Sequence, residues 1–81
     1  MTESESTHFR GVPVLVLGVI EDDPPYRIVE IHGVPAGKAY GMDDVVRIAF
    51  HAGLTHIDLD DLDTVRWVGG GKYTWHVRHW L

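Results

Sequence analysis

The chain has 81 residues, 44 % of them hydrophobic, and contains no cysteine. This length supports one hydrophobic core, and the lack of cysteine excludes disulfides, thiolate zinc sites and cysteine nucleophiles. The net charge of −5 disfavours non-specific attraction to nucleic acid or anionic lipid, because both attractions depend on lysine and arginine. A cysteine-free composition fits a reducing compartment, so we expect a cytoplasmic location.

The N-terminal residues are polar and acidic. Residues 1–9 lack the basic start and apolar centre of a secretory signal, and we expect a disordered tail there, followed by a single domain over residues 10–81. The longest apolar stretch, Val12 to Ile20, contains Pro13 and Gly18 and is far shorter than the roughly 20 residues of a membrane-spanning helix. The sequence therefore predicts no membrane span.

Three strands are predicted in the N-terminal half. Val12 to Ile20 is rich in β-branched residues and apolar on both alternating faces, which is typical of a strand at the centre of a sheet or covered on both sides. The charged, proline-containing residues 21–25 connect it to a second strand, Tyr26 to Ile31, in a hairpin. His32-Gly33 predicts a tight turn into a third strand, Val34 to Tyr40, whose proline and glycine suit only a sheet edge.

From Met42 the spacing of apolar residues changes to that of a helix. Asp43 and Asp44 suit the positive end of the helix dipole, and Gly53 suits the left-handed position after the last turn, with Leu54 making the accompanying apolar contact. The predicted apolar face comprises Met42, Val45, Val46, Ala49, Phe50 and Gly53, and the predicted polar row comprises Asp43, Arg47 and His51.

The C-terminal segment shows the clearest alternation. Residues 69–71 are three glycines, which predict the turn of a hairpin that places Trp67 opposite Tyr73 and Val65 opposite Trp75. Its apolar face would comprise Val65, Trp67, Tyr73, Trp75 and Val77, and its polar face Arg66, Thr74, His76 and Arg78. We therefore predict an α+β fold of the order β-β-(β)-α-β-β, a small antiparallel sheet with one helix packed on one face and a C-terminal hairpin.

Two sets of side chains resemble parts of a metal site, but their spacing in the sequence disfavours metal binding. Asp58 to Asp63 begins like a calcium-binding EF-hand loop, but the glycine at the sixth position and the glutamate at the twelfth are missing. His51 and His56 flank the helix end, whereas His76 and His79 would point to opposite faces of a strand. We predict no metal ligand and no cofactor, and a histidine-based metal or ligand binder is the third alternative.

Residues 44–55 resemble the first helix and turn of a helix-turn-helix, through Ala49, Gly53, Leu54 and Thr55. The segment in the place of the recognition helix, residues 56–63, carries four carboxylates and no lysine or arginine, so phosphate would repel it. A nucleic-acid-binding regulator, acting through this stretch or through the basic and aromatic C-terminal hairpin, is the main alternative function.

No catalytic motif is present. The chain lacks a G-x-S-x-G elbow, a phosphate-binding glycine loop and an H-E-x-x-H sequence, and its two serines, Ser4 and Ser6, lie in the expected tail. An acid/base pair of His56 with Asp58 has no supporting pattern. We therefore predict no catalytic residue and a function other than that of an enzyme.

Basic residues gather at the C-terminal end. Residues 1–63 contain all 12 acidic residues and four basic ones, whereas residues 64–81 contain three basic residues and no acidic one. Like charges on one face repel each other unless an acidic surface lies opposite, either residues 58–63 or another molecule. We expect an interaction domain that binds a protein partner or a second copy of itself, docking through Arg66, His76, Arg78 and Trp80.

Overall fold

The computed structural model describes residues 12–77, and they form a small α+β fold with one helix, as predicted; the fold has four strands. The expected tail over residues 1–9 lies outside the described residues, and so do residues 78–81. In chain order the elements are β1 (Val14–Ile20), β2 (Tyr26–Ile31), β3 (Val34–Ala39), α1 (Met42–His51) and β4 (Val65–Trp67).

The four strands make one sheet in the order β3-β2-β1-β4. β2 runs antiparallel to both β1 and β3, but β4 runs parallel to β1, so the sheet is mixed and the prediction of a purely antiparallel sheet was wrong. The reason lies in the connection. α1 carries the chain back along the sheet after β3, and the next strand must then run in the same direction as β3 and β1.

The N-terminal predictions are confirmed. β1 lies between β2 and β4 at the sheet centre, and β3 forms an edge. The turn between β2 and β3 is the predicted pair His32 and Gly33, which both have positive φ values of 51° and 82°.

The end of α1 also follows the prediction. Gly53 has a φ of 92°, and its N–H donates to the carbonyl oxygen of Phe50 at 3.0 Å. The N–H of Leu54 donates to the carbonyl oxygen of Ala49 at 2.9 Å, which completes a Schellman motif. Leu54 then packs against the core, so the same glycine that ends the helix directs the chain onto the sheet.

The buried face of α1 differs from the predicted one. Val45, Ile48 and Ala49 are buried, whereas Val46 and Phe50 are 43 % and 59 % exposed. The helix packs over β2 and β3, so a narrow stripe of apolar side chains on α1 is enough to contact these two strands. The buried hydrophobic core comprises Val14, Val16, Val29, Ile31, Ala39, Val45, Ile48, Ala49 and Val65.

The region after α1 contains no second helix within the described residues. Residues 52–64 form turns and irregular chain, so the resemblance to a helix-turn-helix ends with its first helix. Leu54, Ile57 and Leu59 of this region are partly buried and pack against the core. Between residues 12 and 77, no helix combines the length and the hydropathy needed to cross a membrane.

The predicted C-terminal hairpin is not formed within the described residues. Val65 is buried in the short strand β4, but residues 68–77 make turns and bends instead of a returning strand. Tyr73 and Val77, predicted on the apolar face, are 77 % and 40 % exposed. The cause is a buried arginine that binds the backbone of this segment.

Candidate functional site

A charged side chain lies in the core of the sheet. Arg27 alternates along β2 with Val29 and Ile31, so all three side chains lie on the face that α1 covers. Arg27 is 0 % exposed, and it is the one buried polar or charged residue in the described part of the chain. Such a position requires the protein to satisfy a full positive charge without water.

The guanidinium group of Arg27 donates five hydrogen bonds, one for each of its N–H groups. All five acceptors are backbone carbonyl oxygens, at distances from 2.7 Å to 2.9 Å. They belong to Leu17, Val68, Gly70, Gly71 and Thr74. We call Arg27, these carbonyl groups and the two tryptophans described next the arginine site.

Trp67 and Trp75 form the wall of the arginine site. Their rings meet edge to face with centroids 6.3 Å apart, and the Cζ atom of Arg27 lies 5.2 Å from one centroid and 5.5 Å from the other. Both distances are within cation–π range. Each indole N–H is satisfied as well, since Trp67 donates to the carbonyl of Leu59 and Trp75 donates to that of Lys72.

No carboxylate pairs with Arg27 among residues 12–77, whose ion pairs join Arg47 to Asp44 and Lys72 to Asp60. Burial lowers the pKa of the Arg27 guanidinium from its ordinary value, although arginine stays protonated at neutral pH. The carbonyl dipoles and the indole faces therefore take the place of a counter-ion.

The glycine run shapes the acceptors. Gly70 has a φ of 128°, and a Cβ atom there would lie 2.6 Å from Cγ2 of Thr74. Only glycine fits this backbone and this space. Because the carbonyls of Val68, Gly70, Gly71 and Thr74 turn toward the guanidinium, they are directed away from a hairpin ladder. This explains why the predicted second strand is replaced by a loop.

Sequence reasoning missed the arginine site, although one signal was present. Arg27 occupies an apolar-face position of β2, in phase with Val29 and Ile31, and a charge in that phase needs a partner. The sequence does not reveal the partner of Arg27, because the partner is a set of backbone carbonyl groups. Residues 68–74 contain no acidic side chain that would indicate an ion pair.

The opposite face of the sheet carries its own set of side chains. Lys38 Nζ lies 4.6 Å from the ring centroid of Tyr26, and the rings of Tyr26 and Tyr40 are 5.9 Å apart, which places these three together. Alternation along the strands puts four more residues on the same side. We call this surface the open face, and it comprises Leu15, Tyr26, Ile28, Glu30, Lys38, Tyr40 and Arg66.

The structure places two of the four predicted docking residues. Arg66 belongs to the open face, where it pairs with Leu15 across the strands, and its Nε donates to the carbonyl of Leu62 at 2.8 Å. His76 is exposed in the loop beyond the arginine site. Arg78 and Trp80 lie outside the described residues.

The acidic segment 58–63 lies against the basic one. Asp60 pairs with Lys72, and hydrogen bonding to this carboxylate raises the pKa of Lys72. Asp58 and Asp61 accept hydrogen bonds from backbone N–H groups two residues further on, as aspartates in turns do. Part of the charge of the basic segment is therefore paired within the chain. The acidic partner is the segment 58–63, one of the two partners expected from the charge distribution.

Residues 12–77 contain no group of three histidine, cysteine, aspartate or glutamate side chains placed to hold a metal ion. Comparison of the chain with known proteins finds no matching family model, no matching curated protein and no matching solved structure. The class that the fold defines is a small α+β domain built on a mixed four-stranded sheet.

Proposed function

We propose that this chain is a protein-binding domain, not an enzyme, and that it docks its partner on the open face. The observation that carries the proposal is that the described residues cover the sheet on one side only. α1 and the chain after it pack on the side of Val29 and Ile31, while Tyr26, Ile28 and Tyr40 lie on the other side. Aromatic and aliphatic side chains grouped in this way are typical of binding surfaces.

The titratable side chains whose pKa is shifted have structural roles. Among residues 12–77, three groups have a shifted pKa, and each belongs to a structural contact: Arg27 in the arginine site, Asp44 with Arg47, and Lys72 with Asp60. None of the three is an acid or base poised for proton transfer near neutral pH.

The charges favour a basic partner. Residues 12–77 contain ten acidic and five basic residues, and three of the basic side chains are occupied in the arginine site or in ion pairs. An acidic loop lies at each end of the sheet, with Asp22 and Asp23 after β1 and residues 58–63 before β4. A protein segment with apolar side chains in its middle and lysine or arginine at its ends complements this arrangement.

The same charges disfavour a second copy. A two-fold axis lying in the interface brings each acidic loop against either its own copy or the other acidic loop, and both pairings are repulsive. They also disfavour nucleic acid, because phosphates would meet the two acidic loops and because Trp67 and Trp75 already face Arg27 instead of being free to stack on bases.

The test is an amide NMR titration of the full chain with three synthetic peptides. One has leucine and tryptophan in its middle and lysines at both ends, the second replaces each lysine by glutamate, and the third keeps the lysines but replaces the apolar residues by serine. We expect saturable shifts over β1, β2 and β3 with the first peptide alone. Shifts confined to the acidic loops, or equal shifts with the serine peptide, would contradict docking on the open face.

A pair of variants locates the surface. Tyr26→Ala removes the centre of the aromatic group, and Phe50→Ala removes an exposed aromatic ring on α1 that lies off the sheet. Tyr26→Ala is expected to weaken binding about tenfold or more, as loss of a central aromatic contact does, and Phe50→Ala to leave binding unchanged. Dimerisation that Tyr26→Ala abolishes, saturable binding of a single-stranded oligonucleotide, or an NMR contact between Tyr26 and residues 1–11 would each overturn the proposed partner.

A further inference from the structure

We infer that the arginine site is a guanidinium-binding site of the fold, with Arg27 as its resident ligand. Its acceptors come from two parts of the chain that are far apart in sequence, Leu17 of β1 and the loop 68–74. The site depends on the guanidinium group itself, and the position of the loop depends on the site being filled. This inference is independent of the partner proposed for the open face.

The geometry selects a planar cation with many donors. Each of the five guanidinium N–H groups donates to a different carbonyl oxygen, so no guanidinium proton is left over. The carbonyl of Gly71 also accepts from the N–H of Thr74. An ammonium group has three donors in a tetrahedral arrangement, and at least two of the carbonyls would receive no hydrogen bond from it. The two indole faces near Cζ add a preference for a cation that has little need of water.

Some of the binding groups also have contacts that do not involve Arg27. The N–H of Val68 donates to the carbonyl of Val16, that of Thr74 donates to the carbonyl of Gly71, and both indole N–H groups have their own acceptors. Because these contacts form part of the site without Arg27, a free guanidinium ligand can bind there and order the rest of the loop when the tether is cut.

The first experiment uses the unaltered protein. If all five donors are held, rotation of the guanidinium is blocked, and NMR of the arginine side chains is expected to resolve four separate Nη protons for Arg27. The nearby indole rings should also displace these signals. A single averaged Nη signal at the position of a free arginine would overturn the inference.

The second experiment compares two variants of Arg27. Arg27→Lys keeps the charge but not the planar donors, so we expect it to lose most of the native indole signal in the near-ultraviolet circular dichroism. Retention of the wild-type melting temperature by Arg27→Lys would mean that any cation suffices, and would overturn the guanidinium assignment.

The third experiment restores the missing group to Arg27→Ala. Ethylguanidinium supplies the atoms that this substitution removes, and it is added at concentrations far below those at which guanidinium salts denature proteins. We expect the indole signal to return saturably, with the ratio of folded to unfolded protein rising about elevenfold at ten times the dissociation constant. Ethylammonium chloride at the same concentration is the control. Equal recovery with ethylammonium, or no recovery with ethylguanidinium, would overturn the inference.

Discussion

A buried arginine is ordinarily paired with a carboxylate, because an uncompensated charge in the interior destabilises the fold. Around Arg27 the compensation comes from peptide carbonyls and two indole rings. Carbonyl groups supply dipoles but no net charge, so each must be close and well aligned to be effective. This explains why every acceptor lies within 2.9 Å of its donor.

The glycine run gives a test at the level of single residues. Gly70→Ala is expected to destabilise the protein by about 1–3 kcal/mol, because it places a Cβ on a left-handed backbone and against Thr74. Gly71→Ala, the neighbouring control, meets nothing within 4 Å and should change stability by less than about 1 kcal/mol. Urea denaturation of both variants measures the difference. Equal losses would show that the loop does not depend on the conformation of Gly70.

The two aromatic residues of the loop are expected to respond differently. Trp75 contacts Trp67, Arg27 and the core, so Trp75→Ala should cost about 3 kcal/mol, a large part of the stability of so small a domain. Tyr73 is 77 % exposed, and Tyr73→Ala should cost less than about 1 kcal/mol. Thermal unfolding followed by circular dichroism separates the two. A large loss in Tyr73→Ala would restore the predicted apolar face.

Among the elements, α1 illustrates how a helix begins without a side-chain cap. Gly41 precedes it with no side-chain hydrogen bond, and Asp44 reaches back instead, accepting from the N–H of Tyr40 at 2.8 Å. The other carboxylate oxygen of Asp44 pairs with Arg47 at 2.8 Å. These two contacts, the bond from Arg47 first, lower the pKa of Asp44.

A folded-state pKa below the ordinary value means that ionised Asp44 stabilises the protein above about pH 4, and that this contribution is lost as the pH falls through the folded-state pKa. Asp44→Ala is expected to cost about 1 kcal/mol at pH 7 and progressively less below pH ~4. Asp43→Ala, in the same turn, serves as the control for the helix dipole. Urea denaturation at neutral and at acidic pH measures the free energy of unfolding of each variant. A loss of stability in Asp44→Ala that persists unchanged at acidic pH would contradict the role of the carboxylate charge.

The buried stripe of α1 can be tested in the same way. Ile48 is buried against the sheet, so Ile48→Ala is expected to cost about 2–4 kcal/mol. Val46→Ala, on the exposed side, should cost less than about 1 kcal/mol. Chemical denaturation compares the two variants, and the reverse order would mean that the helix is rotated toward the face predicted from the sequence.

For the whole molecule, the arginine site joins parts of the chain that are 41 to 47 residues apart, as well as β1 to β2. We therefore expect the loop 68–74 and the sheet to unfold as one cooperative unit. We expect urea unfolding followed by tryptophan fluorescence to coincide with unfolding followed by far-ultraviolet circular dichroism. A fluorescence transition at clearly lower urea would show that the loop opens before the sheet.

The sequence by itself determined the local structure. β-Branched alternation predicted β1 and β2, His32-Gly33 predicted the turn into the edge strand β3, and Gly53 predicted the end of α1. Each of these depends on steric preferences and spacing within a few residues, which the order of residues states directly. Interaction with a partner, and the docking role of Arg66, His76, Arg78 and Trp80, stay predictions.

The tertiary structure decided which face of each element is buried and how the C-terminal segment is held. The three glycines were compatible with a hairpin, in which Trp67 and Trp75 would have been diagonal neighbours on one face. They meet instead around Arg27. The five N–H groups of Arg27 are buried away from water and must have protein acceptors, whereas the loop backbone can form hydrogen bonds with water instead of with a paired strand. That competition takes place between residues more than 40 positions apart, and no local pattern in the sequence records it.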